Sequence, residues 1–201
     1  MINQDNRSQW VSERFIQFVD IVFGVVVAQG FVRYFDLIIN PGSSWFAFCV
    51  LVSAYIVIIL SWIGYHQSIS RYPYEVRTVK AWIRMFFDFL VVSVYARLLF
   101  SIADFKAGAE NARLDNYLWN YPLIFGLYLL SGFTRIWEKS DKHASRWGSL
   151  LILGFFYGLL LMFYKSKANV SACFNWLYLG IYLLTYIGYR CWRQHHYEIS
   201  R

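Results

Sequence analysis

The chain has 201 residues, of which 58% are apolar, 21% aromatic and only 15% charged, with a net charge of +7 and a mean hydropathy of +0.38. A soluble domain carries about 25% charged and about 45–50% apolar residues, so the composition excludes water as the solvent for most of the surface. The three cysteines, Cys49, Cys173 and Cys191, include no C-x-x-C pair, which excludes a fully paired disulfide scaffold and a Cys-based zinc site.

A helix crossing the hydrocarbon core needs roughly 20 mostly apolar residues. The sequence offers six such runs, at about 15–35, 44–65, 81–103, 117–136, 147–164 and 172–192. The fold class expected is therefore an all-α integral membrane protein with six transmembrane helices. Residues 1–14 form an N-terminal segment, 15–192 the bundle and 193–201 a C-terminal tail. Continuous rather than alternating runs disfavour a β-barrel. The first run is too long for the apolar part of a signal peptide, and no small-x-small cleavage site follows it. Pro41-Gly42 closes a tight turn that makes the first two spans an antiparallel hairpin, and Pro122 predicts a helix start near Asn120. Gly154 and Gly158 form a G-x-x-x-G surface for close helix packing.

The loops give the orientation. The N-terminus, the second and fourth loops and the C-terminal tail hold 13 of the 19 Lys and Arg residues, counting Arg190 with the tail. The positive-inside bias places both termini in the cytoplasm. Tryptophans near the span ends, Trp10, Trp45, Trp62, Trp82, Trp119, Trp137, Trp147 and Trp192, match interfacial belts.

Charges within a span cost about 2.5–3.5 kcal/mol at the centre by insertion scales. Three stand out: Asp20 in the first run, and Asp88 and Arg97 in the third. Asp88 lies four residues after Arg84, an ordinary intrahelical pair, and Arg97 is near enough to the outer interface to snorkel. Asp20 lies six residues from Arg14, about 240° round the helix, so the two cannot share a face and each looks to another helix. In an antiparallel hairpin, Trp62 and His66 fall beside the Arg14 to Asp20 region. His143, His195 and His196 read as solvated, and no set of ligands converges on a metal.

Arg14, Phe18, Asp20 and Phe23 resemble the R-x-x-x-F-S-D-x-x-F signature that opens the first helix of the endosomal/lysosomal potassium channel TMEM family, in its bacterial six-helix branch. That family's second helix ends W-x-x-H-H, and Trp62 and His66 occupy the first and last positions. Val19 stands at the family's serine, Tyr65 at its first histidine and Ala28 near its later threonine. The resemblance covers the first 70 residues or so. It implies a homotetramer in a bacterial plasma (inner) membrane, a pore lined by the first helix, and a gating network of Arg14, Phe18, Asp20, Trp62 and His66. Its apolar constriction would begin at Val25. Helical spacing then adds Val22, Gln29 and Val32 to the same face. Four Val25 side chains would form a ring that gates by dewetting, and four Gln29 amides a ring of dipoles for a partly stripped cation.

The function expected is a homo-oligomeric cation channel, permeable to potassium or other monovalent cations and to protons, that needs no cofactor and no metal. Its other partners are the lipid bilayer and copies of itself. One alternative is a membrane effector whose pore answers to an anionic ligand, a nucleotide or oligonucleotide, on the basic cytoplasmic face. Another is a proton-coupled transporter using Asp20 and His66. No nucleophile motif or convergent acid–base pair points to an enzyme.

Overall fold

The computed structural model describes residues 4–71, 73–74, 76, 78–105, 114–139, 145–167 and 171–199, with side chains described for all of these except 4–9, 71, 104, 135–139, 145–148 and 196–199. The described residues form the helices α1 (Gln4–Arg33), α2 (Phe35–Ile39), α3 (Trp45–Arg71), α4 (Val79–Phe100), α5 (Asp115–Leu118), α6 (Asn120–Lys139), α7 (Ser145–Ser166) and α8 (Ala172–Ile199). Short 3-10 turns lie at Pro41–Ser43 and Ser101–Phe105, and there is no strand among the described residues.

All six apolar runs are helical. Among the described residues four stretches are long and apolar enough to cross a membrane: Trp10–Arg33, Trp45–Ser70, Val79–Ala103 and Ser149–Ser166. Helices α6 and α8 are long enough but dilute their apolar content with polar residues, Asn120 and Thr134 in one and Asn175, Thr185 and Arg190 in the other. The helices also outrun the apolar stretches. Helix α1 begins at Gln4, inside the segment expected to precede it, and α8 runs to Ile199, through the segment expected as a tail. Neither extension contains a Gly or Pro to interrupt it. Breakers set the other ends: Pro73 disfavours helix at the residue before it, and α3 ends at Arg71. Thr78 caps α4 by accepting from the Ala81 amide at 3.2 Å. Helix α6 starts at Asn120 as its proline predicts.

Side-chain contacts fix the directions. Asp20 meets His66 and Val27 meets Tyr55, so α1 and α3 are antiparallel, as the turn at Pro41 requires. Phe18 stacks near Phe89 and Phe23 meets Tyr95, so α1 and α4 run parallel. Asp88 meets Ser131 and Tyr95 meets Tyr128, making α4 and α6 antiparallel. Helices α3 and α8 are parallel, with Phe46 against Trp176 at one end and Ser61 against Arg190 at the other. Tyr157 meets Tyr182 and Tyr164 meets Asn175, so α7 and α8 are antiparallel and successive long helices alternate in direction.

The core is aromatic. Tyr117, Tyr121, Phe125, Tyr157, Tyr164, Tyr182 and Tyr186 are all fully buried, and the tyrosine hydroxyls bond backbone groups and polar side chains such as Ser53, Thr185, Asn175 and Ser61. Tyr157 and Tyr182 each donate to the other's carbonyl at 3.0 Å, tying α7 to α8. Gly154 lies 3.7 Å from the Phe125 Cβ, were it to carry a Cβ of its own, while Gly158 meets nothing within 4 Å. One glycine of the G-x-x-x-G pair thus serves α6–α7 packing.

Helix α1 is the outlier. Only 11% of its most apolar stretch is buried, against 50% for α3.

Candidate functional site

The turn of α3 from Ser61 to His66 carries polar contacts on two sides. Residues four apart share a helix face, and Trp62 and His66 both face α1. The Trp62 indole N–H donates to Asp20 Oδ1 at 3.1 Å, and His66 Nε2 lies 2.9 Å from the same oxygen. A carboxylate oxygen only accepts, so Nε2 carries the hydrogen in this contact. The two rings pack edge to face, with centroids 4.6 Å apart, and Phe23 stacks on Trp62 with centroids 5.7 Å apart. The Asp20 and His66 side chains are 35% and 37% exposed, so water screens their attraction.

Not every residue expected here arrives. Arg14 bonds Gln17 at 3.4 Å and lies over the Trp10 ring, one turn or more from Asp20. Phe18 is 50% exposed and faces Phe89. The structure therefore brings Asp20, Trp62 and His66 together and leaves Arg14 and Phe18 apart from them. Of the stripe on α1, Val25 and Val32 are 54% and 75% exposed, Gln29 is exposed and Val22 is partly so. Val25, Gln29 and Val32 look away from the core of their own chain, and Val22 lies at the edge of that face.

Asp88 does more than pair with Arg84. The Arg84 Nε lies 3.9 Å from Oδ2, but two hydroxyls come closer: Tyr74 donates to Oδ2 and Ser131 to Oδ1, each at 2.7 Å. The carboxylate thus joins α4, α6 and the α3–α4 connection. Arg84 is buried and its guanidinium lies over the Tyr74 ring at 4.6 Å. Burial first, and the Asp88 charge second, hold the Tyr74 hydroxyl well above its ordinary value near 10, so it remains a donor.

Arg190 does not belong to a solvated tail. It is 8% exposed, because it follows Tyr182 and Tyr186 at four-residue intervals on the inward face of α8. Its Nε and Nη2 donate to the Tyr186 hydroxyl at 3.1 and 3.0 Å. Nη2 also reaches Tyr128 at 2.9 Å and Ser61 at 3.2 Å. The Tyr128 hydroxyl pairs with Tyr95 at 2.6 Å, and Ser61 pairs with Tyr186. No carboxylate bonds the guanidinium among the described residues. Its charge is dispersed over hydroxyl oxygens and over the Tyr128 and Tyr186 rings, whose centroids lie 5.3 and 5.4 Å away. Without Arg190 the basic bias keeps its direction, though several of its members, including Arg77, Lys142 and the side chains of Arg135, Lys139 and Arg146, lie outside the described residues.

A cavity of about 20 Å³ separates these clusters. Ser61, Trp62, Asp88, Tyr95 and Tyr128 all border it. Among the described residues no three His, Cys, Asp or Glu side chains come together to hold a metal. Compared with protein-family models, curated proteins and solved structures, the chain matches none.

Proposed function

We propose that the chain is a six-span membrane protein with both termini cytoplasmic, and that copies of it assemble around α1 to conduct monovalent cations. The observation that carries this reading is the outward exposure of Val25, Gln29 and Val32, with Val22 partly exposed, on the least buried of the four candidate spans among the described residues. An apolar stripe that finds no partner in its own chain needs lipid or another copy. Gln29 favours the second, since an amide facing hydrocarbon leaves its donors and acceptor unpaired.

Around a central axis, four copies would set Val25 as a dewetting constriction and Gln29 as a ring of oxygen dipoles next to it. Asp20, held by Trp62 and His66, would fix the rotation of α1 and so decide which face looks inward. The likeness to the endosomal/lysosomal potassium channel TMEM family, carried by its two motifs, supports potassium with protons as the permeant ions and a bacterial inner membrane as the location.

Flux from liposomes reconstituted with the full chain tests the reading. Potassium-driven flux that Val25→Ala raises and Gln29→Leu alters in selectivity is the expected result. Liposomes that stay electrically silent at all pH values and voltages overturn it, and uptake strictly coupled to a pH gradient indicates a transporter instead.

A further inference from the structure

One turn of α3 is gripped from both sides. Trp62 and His66 hold Asp20 of α1 on one face, while Ser61 and Gly64, three residues apart, meet Arg190 of α8 on the other. Gly64 matters because it has no side chain. The guanidinium packs directly on the α3 main chain, so a displacement there has no soft group to absorb it. Arg190 is in turn fixed by Tyr186 of its own helix and Tyr128 of α6, and Tyr128 by Tyr95 of α4.

Packing alone does not fix Trp62. Trp62 lines the cavity of about 20 Å³, and a side chain beside a void has fewer contacts to define its place. Beside its ring contacts with Phe23 and His66, its position depends on the Asp20 bond and on where α3 sits.

We propose that Arg190 is a positioning residue for the Asp20 site: by fixing the Ser61–His66 turn from behind, it sets the indole and imidazole donors that orient α1. Asp20 and Arg190 then act as one unit, although they share no contact. The inference concerns the geometry of the Asp20 site and stands whichever solute crosses the membrane.

The Trp62 indole N–H resonance reports this directly. In the full chain in lipid nanodiscs, with ¹⁵N-labelled tryptophan and the peak assigned by Trp62→Phe, Asp20→Asn gives the position for a weakened bond. Arg190→Lys keeps the charge and loses the planar fork, and Ser61→Ala removes one acceptor of that fork. Both are expected to move the resonance part of the way toward the Asp20→Asn position. Tyr164→Phe, which loosens the opposite end of the bundle, is expected to leave it unchanged. The proposal is overturned if Ser61→Ala and Arg190→Lys leave the wild-type resonance in place, or if Tyr164→Phe shifts it as much. Should Arg190→Lys fail to fold, Ser61→Ala against Tyr164→Phe decides the matter alone.

Discussion

Gly64 leaves the space that the Arg190 guanidinium fills: a Cβ at residue 64 would overlap Nη1 and crowd Cζ. The far end of a long side chain usually yields at little cost, but here it is held by four hydrogen bonds to Tyr186, Tyr128 and Ser61. Gly→Ala in a helix gains about 1 kcal/mol in propensity. Displacing a buried guanidinium from its acceptors costs about 1.5–3 kcal/mol per bond lost. The second effect wins, so Gly64→Ala is expected to lower the melting temperature in detergent. Gly188→Ala on α8, where a Cβ meets nothing within 4 Å, is expected to hold or raise it. A Gly64→Ala protein as stable as wild type would show that the guanidinium relocates freely.

Asp88 makes a second test of how charges are held at apolar depth. Removing the carboxylate by Asp88→Ala takes the opposite charge from beside the buried Arg84 guanidinium and removes the acceptor that Tyr74 and Ser131 reach at 2.7 Å. Breaking a buried pair from one side costs about 3–5 kcal/mol. Ser131→Ala removes one neutral donor to an ionised acceptor and is expected to cost about 1.5–3 kcal/mol. Chemical denaturation in mixed micelles orders the variants, and a Ser131→Ala protein less stable than Asp88→Ala would reverse the assignment of the carboxylate as the joint.

Tyr74 adds a pH dependence whose sign is fixed. Its hydroxyl is held above the ordinary value near 10, so the folded state keeps the proton that the unfolded chain releases. The contribution to stability is fully present below about pH 10 and is lost as pH rises beyond it, when only the unfolded chain ionises. Tyr74→Phe is expected to flatten part of the fall in stability on the alkaline side, at the cost of the bond to Asp88. Melting curves from pH 8 upward show this, and an unchanged alkaline slope would remove Tyr74 from the account.

These clusters differ in how far the sequence discloses them. Six continuous apolar runs make six helices visible, and Pro41-Gly42 makes the first pair antiparallel, which is enough to place Trp62 and His66 beside Asp20. The same reasoning places Arg14 there too, but Arg14 has a closer acceptor in Gln17 and an aromatic face in Trp10 on its own helix. Asp88 reads as half of an i,i+4 pair because Arg84 is local. Tyr74 and Ser131 come from other elements, and Ser131 is 43 residues away in sequence. Arg190 reads as a topological charge because it stands near a basic chain end. The signal against that reading is its place four and eight residues after Tyr186 and Tyr182, on the face where α8 buries its aromatic residues. Helix propensity and hydropathy carry no information about which helices meet, so the hydroxyl clusters become visible only once α3, α6 and α8 are side by side.

Assembly gives the last test, and it separates the two uses of an exposed apolar helix. Gly24 is exposed on α1 about 100° round the helix from Val25, and a Cβ there meets nothing within 4 Å. Gly24→Leu is therefore expected to leave the fold of a single chain intact, with a small gain from helix propensity. If α1 faces lipid, the added side chain is solvated by acyl tails and the oligomer size is unchanged. If copies of α1 pack on this flank, a leucine there holds the helices apart. Gly24→Leu is then expected to shift the purified protein toward smaller species in native mass spectrometry, and Val25→Cys, in a background with the three native cysteines replaced, to form a disulfide-linked dimer. Wild-type oligomer mass in Gly24→Leu together with no Val25 crosslink would place lipid against this face and remove the pore from α1.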